Sequence, residues 1–240
     1  MQILVYIFLA LATIVNAKEI TAKSWLIADQ DNVVLDGANR EQVLPIASIT
    51  KVMTVITVMK ANQDLDQKIQ YNKQLRLSRR ELIELTLVHS DNHAADLLCK
   101  NYTRNYAGCI ADMNFHAKEF NMMDTTYADA SGLNADNVST ANDLLKLLNQ
   151  AEHYAIIVEA AKKTNVKIQL HKKYLVFKNT NPLIGKTYEF VVSKTGTTNA
   201  AGGCIILTVD TDRGLRRVVV LGSRNGHTRI PEAEFIIKVD

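Results

Sequence analysis

With only three prolines and ten glycines among 240 residues, the chain has little material for long flexible linkers, and it shows no internal repeat or low-complexity tract. That scarcity, with a hydrophobic content of 47%, excludes collagen-like and disordered architectures. Three cysteines are too few for a stapled miniprotein, and a chain this long buries a real core without staples. An excess of one charge is lacking too: 28 Lys+Arg stand against 25 Asp+Glu, for a formal net charge of +3. Nucleic-acid binding needs a clustered basic face, so no such partner is expected. The short basic run Lys73, Arg76, Arg79 and Arg80 reads most simply as a solvated face.

Uncharged stretches are also scarce, and the one that stands out lies at the start. Met1–Ala17 has no charged side chain, and Ile3–Val15 is almost wholly apolar. About 13 apolar residues fall short of the roughly 20 that span a bilayer, and Val15 and Ala17 fit the minus-three, minus-one rule of a cleaved leader. Residues 1–17 are therefore expected to be a signal peptide, with the mature chain starting near Lys18 and acting in the periplasm or outside the cell. Cys99 and Cys109 lie ten residues apart across the polar stretch Asn101–Gly108, a spacing that permits a disulfide without requiring it. Cys204, in the apolar run Cys204–Val209, is expected to be a buried, inert thiol.

Periodicity gives the organisation. Trp25–Asp29 and Val33–Asp36 read as a β-hairpin, and Ile46–Lys60 as a helix with Pro45 just before it. Helical patterns then fill about Ser78 to Lys163, namely Arg79–Val88, Ala94–Cys99, Ile110–Phe120 and Asp143–Leu148. The period changes to strand at Val166–Leu170, Tyr174–Phe177, Tyr188–Val192, Cys204–Val209 and Val218–Gly222, and Pro231–Val239 closes the chain as a helix. Strands, a helical block and more strands make an α+β order, in which the N-terminal hairpin joins the C-terminal strands in one antiparallel sheet. The expected domain is a single one over 18–240, with a sheet lobe at about 18–60 and 164–240 and a helical lobe at about 61–163.

Three short motifs carry chemistry. Ser48-Ile49-Thr50-Lys51 opens a helix, and its i, i+3 spacing stacks the lysine amine over the serine hydroxyl. Such a lysine must be neutral to act as a base, so burial and a second cation, Lys194, are expected to lower its pKa. Ser90-Asp91-Asn92 interrupts a helical pattern; it reads as a loop facing a cleft, or as an ordinary cap for the next helix. Lys194-Thr195-Gly196 falls at the end of the strand Tyr188–Val192, where an edge strand with a glycine would let an extended peptide lie alongside. His89 and His93 flank the second motif and could pair on a metal with Asp91, but zinc normally needs a third protein ligand in fixed geometry, and no metal is expected.

In the order S-x-x-K, S-D-N, K-T-G the chain resembles the serine D-alanyl-D-alanine peptidases among the low-molecular-mass penicillin-binding proteins. Longer stretches, Pro45–Thr54, Ser131-Gly132-Leu133, Asn137–Ala141, Lys178–Asn181 and Lys194–Gly202, are similar to the D-alanyl-D-alanine endopeptidase type. The resemblance implies a β-lactamase/transpeptidase-like fold, an antiparallel sheet with flanking helices beside an all-helical lobe, and a penicillin-sensitive acyl-enzyme formed without a cofactor. It implies Ser48 as nucleophile, Lys51 as general base and Ser90 as proton relay. It further implies that Asn92 holds the substrate backbone, that Lys194 and Thr195 bind a carboxylate beside Gly196, and that the N–H groups of Ser48 and Thr197 form an oxyanion hole. The implied partners are peptidoglycan peptides and β-lactams, with no nucleic acid and no stable membrane anchor after leader removal. The implied reaction is hydrolysis of D-alanyl-meso-diaminopimelyl cross-links. The alternatives are a D-alanyl-D-alanine carboxypeptidase and a non-catalytic cell-wall or β-lactam-binding protein. A class A β-lactamase would need a deacylating glutamate, and no E-x-x-L-N stretch stands between the second and third motifs.

Overall fold

The computed structural model describes residues 20–186 and 188–239, so the expected leader and its cleavage site lie outside the described residues. The strands in chain order are β1 (Ser24–Ala28), β2 (Val34–Ala38), β3 (Leu44–Pro45), β4 (Lys68–Asn72), β5 (Leu75–Ser78), β6 (Val138–Ser139), β7 (Asn165–Leu170), β8 (Lys173–Lys178), β9 (Glu189–Thr198), β10 (Gly202–Thr211) and β11 (Gly214–Ser223). The helices are α1 (Thr50–Lys60), α2 (Arg79–Glu84), α3 (Asn92–Lys100), α4 (Asn105–Glu119), α5 (Ala141–Ala151), α6 (Ala155–Lys162) and α7 (Arg229–Val239).

One antiparallel sheet in the order β2-β1-β11-β10-β9 organises the molecule and leaves β9 at an edge. Its central strands are apolar on both faces because both faces are covered. On one face Ile205, Leu207, Val218 and Val220 pack with Ala233, Ile236 and Ile237 of α7. Through the alternation of a strand, Cys204, Ile206, Val219 and Leu221 turn to the other face and join the large core of α1, α3, α4 and α5. Every residue of α1 from Thr50 to Val58 is buried, so this helix is a central post rather than an amphipathic surface helix. The N-terminal hairpin joins the C-terminal strands as the sequence leads one to expect.

Three features depart from the sequence reading. First, β7 and β8 pair only with each other, in register Lys167↔Val176 and Gln169↔Tyr174, and stay outside the main sheet. They lean on a π-helical turn, Leu85–His89, where the ring of His89 meets that of Phe177 with centroids 5.2 Å apart. Second, a small hairpin, β4–β5, precedes α2, whose start is closed by a capping box between Ser78 and Glu81. Third, Arg79 is not solvated: it is fully buried, with Nη1 donating to Asp64 O at 2.5 Å and Nη2 to Asn101 O at 3.1 Å, while Lys73, Arg76 and Arg80 are exposed. Loop carbonyls turned inward replace its water. Cys99 and Cys109 are joined by a disulfide that ties α3 to α4, and Cys204 is a buried free thiol. No helix among the described residues is long and apolar enough to cross a membrane.

A buried ion pair fixes the end of α5 to the sheet. Arg217 on β11 donates from Nε and Nη2 to the two carboxylate oxygens of Glu152, each at 2.7 Å, and from Nη1 to Asp29 O at 2.9 Å. Removing one partner of such a pair strands the other charge. Glu152→Ala is therefore expected to lower unfolding stability by about 3 kcal/mol, read from the urea midpoint at unchanged slope.

Candidate active site

The turn that carries Ser48 is built under constraint. Ala47–Ile49 form a 3-10 turn ahead of α1, and Ala47 sits at φ 47°, the left-handed region that costs a residue with a Cβ roughly 1–3 kcal/mol. Two glycines hold it there. A Cβ on Gly132, itself at φ 81°, would stand 1.9 Å from Ala47 O, and one on Gly196 would stand 2.9 Å from Ile46 O. The same two Cβ atoms would come within 2.9 and 3.0 Å of the Ser48 backbone nitrogen, so glycine at both positions keeps that N–H clear. Ser48 is half-buried, at the positive end of α1.

Lys51, one turn along, has no exposed surface. Its Nζ has three oxygen neighbours, Ser48 Oγ at 2.7 Å, Asn92 Oδ1 at 2.7 Å and Ser131 O at 2.5 Å. As an ammonium it donates to all three. As a neutral amine it has two N–H donors and one lone pair, and only the hydroxyl among the three neighbours has a proton to give. The amide oxygen and the carbonyl take the two donors, which directs the lone pair at Ser48. Burial lowers the Lys51 pKa to about 8, against the pull of the carboxylates of Asp129, Asp91 and Asp96. Lys194, 1% exposed, is also held well below the ordinary lysine value, by burial first and then by the charges of Lys51 and Arg229. Burial is thus the leading cause at both lysines.

The second and third motifs meet over this pair. Ser90 ends the π-helical turn in a left-handed conformation, φ 62°, and π-turns of this kind recur at functional sites. Lys194 Nζ lies 2.8 Å from Ser90 Oγ and donates to Thr195 O at 2.7 Å. Asp91 caps α3 by accepting from Ala94 N at 2.7 Å, and Asn92 is the first residue of that helix, so both sequence readings of this motif hold at once. Lys194, Thr195 and Gly196 lie within β9, which continues to Thr198 instead of stopping at Val192. The two histidines turn apart, His89 Nδ1 to Lys178 O at 3.0 Å and His93 Nε2 to Tyr71 O at 2.7 Å. No cluster of three metal-ligating side chains occurs among the described residues.

Two residues of the site carry no motif. Asp129 accepts from the backbone N–H groups of Ser131 at 2.9 Å, Gly132 at 2.5 Å and Asn134 at 2.7 Å. It thereby sets both the carbonyl that faces Lys51 and the glycine beneath Ala47; an aspartate two residues before Ser-Gly is an Asx-turn signal that sequence reading could have used. Arg229 comes from α7, far along the chain, and nothing local marks it. Its guanidinium donates to Gly196 O at 3.1 Å and to Thr197 Oγ1, and its Nε has no hydrogen-bond partner. Thr180, Thr197, His227, Arg229 and Pro231 line a cavity of about 650 Å³ beside β9, and Thr180 Oγ1 accepts from Thr195 Oγ1 at 2.7 Å. The cation bordering this open space is Arg229, whereas the Lys194 amine points at Ser90 and Thr195.

Because Asp129 contributes most to holding the Lys51 pKa up, Asp129→Asn is expected to move it below about 8. NMR titration of the labelled Lys51 side chain in the two proteins checks this, and an upward shift would contradict the charge assignment.

The family model described as D-alanyl-D-alanine carboxypeptidase, peptidase S11, matches residues 11–75 and 63–225. A D-alanyl-D-alanine endopeptidase of Pseudomonas aeruginosa is 33% identical over 90% of this chain and 76% of its own. One from Escherichia coli is 32% identical over 93% of this chain and 78% of its own. Among solved structures, penicillin-binding protein D2 of Listeria monocytogenes with bound cefotaxime superposes with a TM-score of 0.83 at 27% identity, covering 92% of this chain and 97% of that one. With a serine and a lysine amine in contact, and a family match over most of its length, the chain belongs to the S11 family of serine-type D-alanyl-D-alanine peptidases.

Proposed function

We propose that the protein cuts D-alanyl-meso-diaminopimelyl cross-links in peptidoglycan through an acyl-enzyme on Ser48. The observation that carries this reading is the Lys51 amine, wholly buried, with its one possible proton donor 2.7 Å away at Ser48. Neutral Lys51 takes the Ser48 proton as Oγ attacks the D-alanyl carbonyl. The developing oxyanion sits between the backbone N–H groups of Ser48 and Thr197, at the positive end of α1. Ser90, beside Lys194, relays to the departing amine the proton that Lys51 took from Ser48, so that Lys51 is neutral again once the C–N bond has broken. Water then attacks the ester, its proton passing to Lys51 and from there to Ser48 Oγ as the ester C–O bond breaks, which frees Ser48 and the D-alanyl carboxylate. Asn92, whose Oδ1 already accepts from Lys51, holds the substrate backbone with its amide N–H, and Thr195 steadies the substrate on β9. The carboxylate role assigned to Lys194 in the sequence passes to Arg229, which borders the open cavity.

Cross-link cutting is supported by the names of the relatives at 33% and 32% identity, both endopeptidases, against 28% for an Escherichia coli carboxypeptidase. β-Lactam acylation is supported by the Listeria neighbour, seen in cefotaxime- and ampicillin-bound forms. Action outside the cytoplasm agrees with the apolar start of the sequence and with the disulfide, which persists in oxidising compartments.

Incubation with cross-linked muropeptide dimers and pentapeptide monomers, followed by mass spectrometry, separates the readings. Dimers are expected to resolve into monomers, with Ser48→Ala inert to both cleavage and penicillin labelling. Pentapeptides losing only their last alanine would make the protein a carboxypeptidase, and cleavage by Ser48→Ala would remove the nucleophile assignment.

A further inference from the structure

Residues 160–188 contain seven lysines and no aspartate or glutamate, a local charge larger than the net +3 of the whole chain. Its middle, Asn165–Lys178, is the β7–β8 hairpin, which carries four of the lysines. Its inner side is used: Val166 and Ile168 are buried, and Phe177 meets the His89 ring. On the outer side the register sets Lys167 beside Val176 and Gln169 beside Tyr174. Tyr174 is 62% exposed and Val176 55%, which is unusual for an aromatic and a branched aliphatic side by side. Lys163 pairs with Glu84 at 2.8 Å, but Lys167, Lys172, Lys173 and Lys178 have no acidic partner among the described residues. An apolar strip with an amide and rimmed by free ammonium groups fits a ligand that offers C–H faces, hydroxyls and carboxylates together. It is a poor fit for another apolar protein surface, because burying the lysines would be costly.

The hairpin is also continuous with the catalytic cleft. From Lys178, whose carbonyl contacts His89 one residue before Ser90, the chain runs through Asn179 to Thr180, which bonds to Thr195. Six residues of extended chain place Tyr174 at most about 20 Å from Thr180. A ligand held in the cleft therefore reaches Tyr174 with a further segment of no more than about 20 Å.

We propose that the outer face of β7–β8, through Tyr174, Val176, Gln169 and Lys167, is a docking surface for the anionic peptide-glycan polymer whose cross-link enters the cleft. This rests on the peptidoglycan reading above and adds to it a preference for polymer over free muropeptide. Sugar rings stack on Tyr174 and Val176, and stem-peptide carboxylates meet the lysines, an attraction that salt screens.

The test uses purified sacculi and the full-length Ser48→Ala protein, so that binding is read without cleavage. Adding Tyr174→Ser with Val176→Ser, or Lys167→Glu with Lys173→Glu, is expected to weaken co-sedimentation with sacculi about tenfold. In the Ser48 background the same changes are expected to leave penicillin labelling and muropeptide cleavage at the parent level, which also shows that the variants fold. Unchanged sacculus binding by both variants would overturn the proposal, as would capture of the parent by phosphatidylglycerol vesicles but not by sacculi. Failure to cut muropeptide dimers would count against the functional reading alone, because sacculus binding is measured on the inactive protein.

Discussion

A lysine with no surface exposed to water is the constraint from which the rest of this site follows. Buried charge is expensive, so the interior must either supply partners for an ammonium or accept a neutral amine. Lys51 is poised between the two: three oxygens satisfy either form, and its pKa of about 8 leaves the neutral form within reach. In that form two acceptors take the amine's N–H groups and its lone pair faces Ser48, the geometry on which the proposed base role rests.

Those three oxygens come from three parts of the fold, which is why so much of the molecule serves one amine. Ser48 comes from the strained turn before α1, Asn92 from the start of α3, and Ser131 from the loop gathered by Asp129. The disulfide binds α3 to α4 at the end of α3 opposite Asn92. On the far side β9 closes against the turn so tightly that Gly196 has no room for a Cβ. The sheet's other covering helix, α7, contributes Arg229 to the same edge.

Much of this was legible in the sequence because it is local. The i, i+3 spacing of Ser48 and Lys51, the interrupted helix at Ser90 and the period-two runs of β9 to β11 each report on a few neighbouring residues. What was not legible depends on distant packing. Arg79 looks like part of a basic face, and only the carbonyls of Asp64 and Asn101 make it a core residue. β7 and β8 have ordinary strand patterns, and nothing in them says that they leave the main sheet for the π-turn at His89. The pairing of Cys99 with Cys109 needed the helix geometry, and Arg229 reaches the site from 33 residues beyond Gly196.

The most direct measurement is the pH dependence of the rate at which penicillin acylates Ser48, followed by intact-protein mass between about pH 6 and 10. With Lys51 as the proposed base, active only when neutral, the rate is expected to rise with pH, to be half-maximal near 8 and to be level above it. A rate that is flat over this range, or that climbs only toward the ordinary lysine value of 10.5, would contradict the claim that burial makes Lys51 the base.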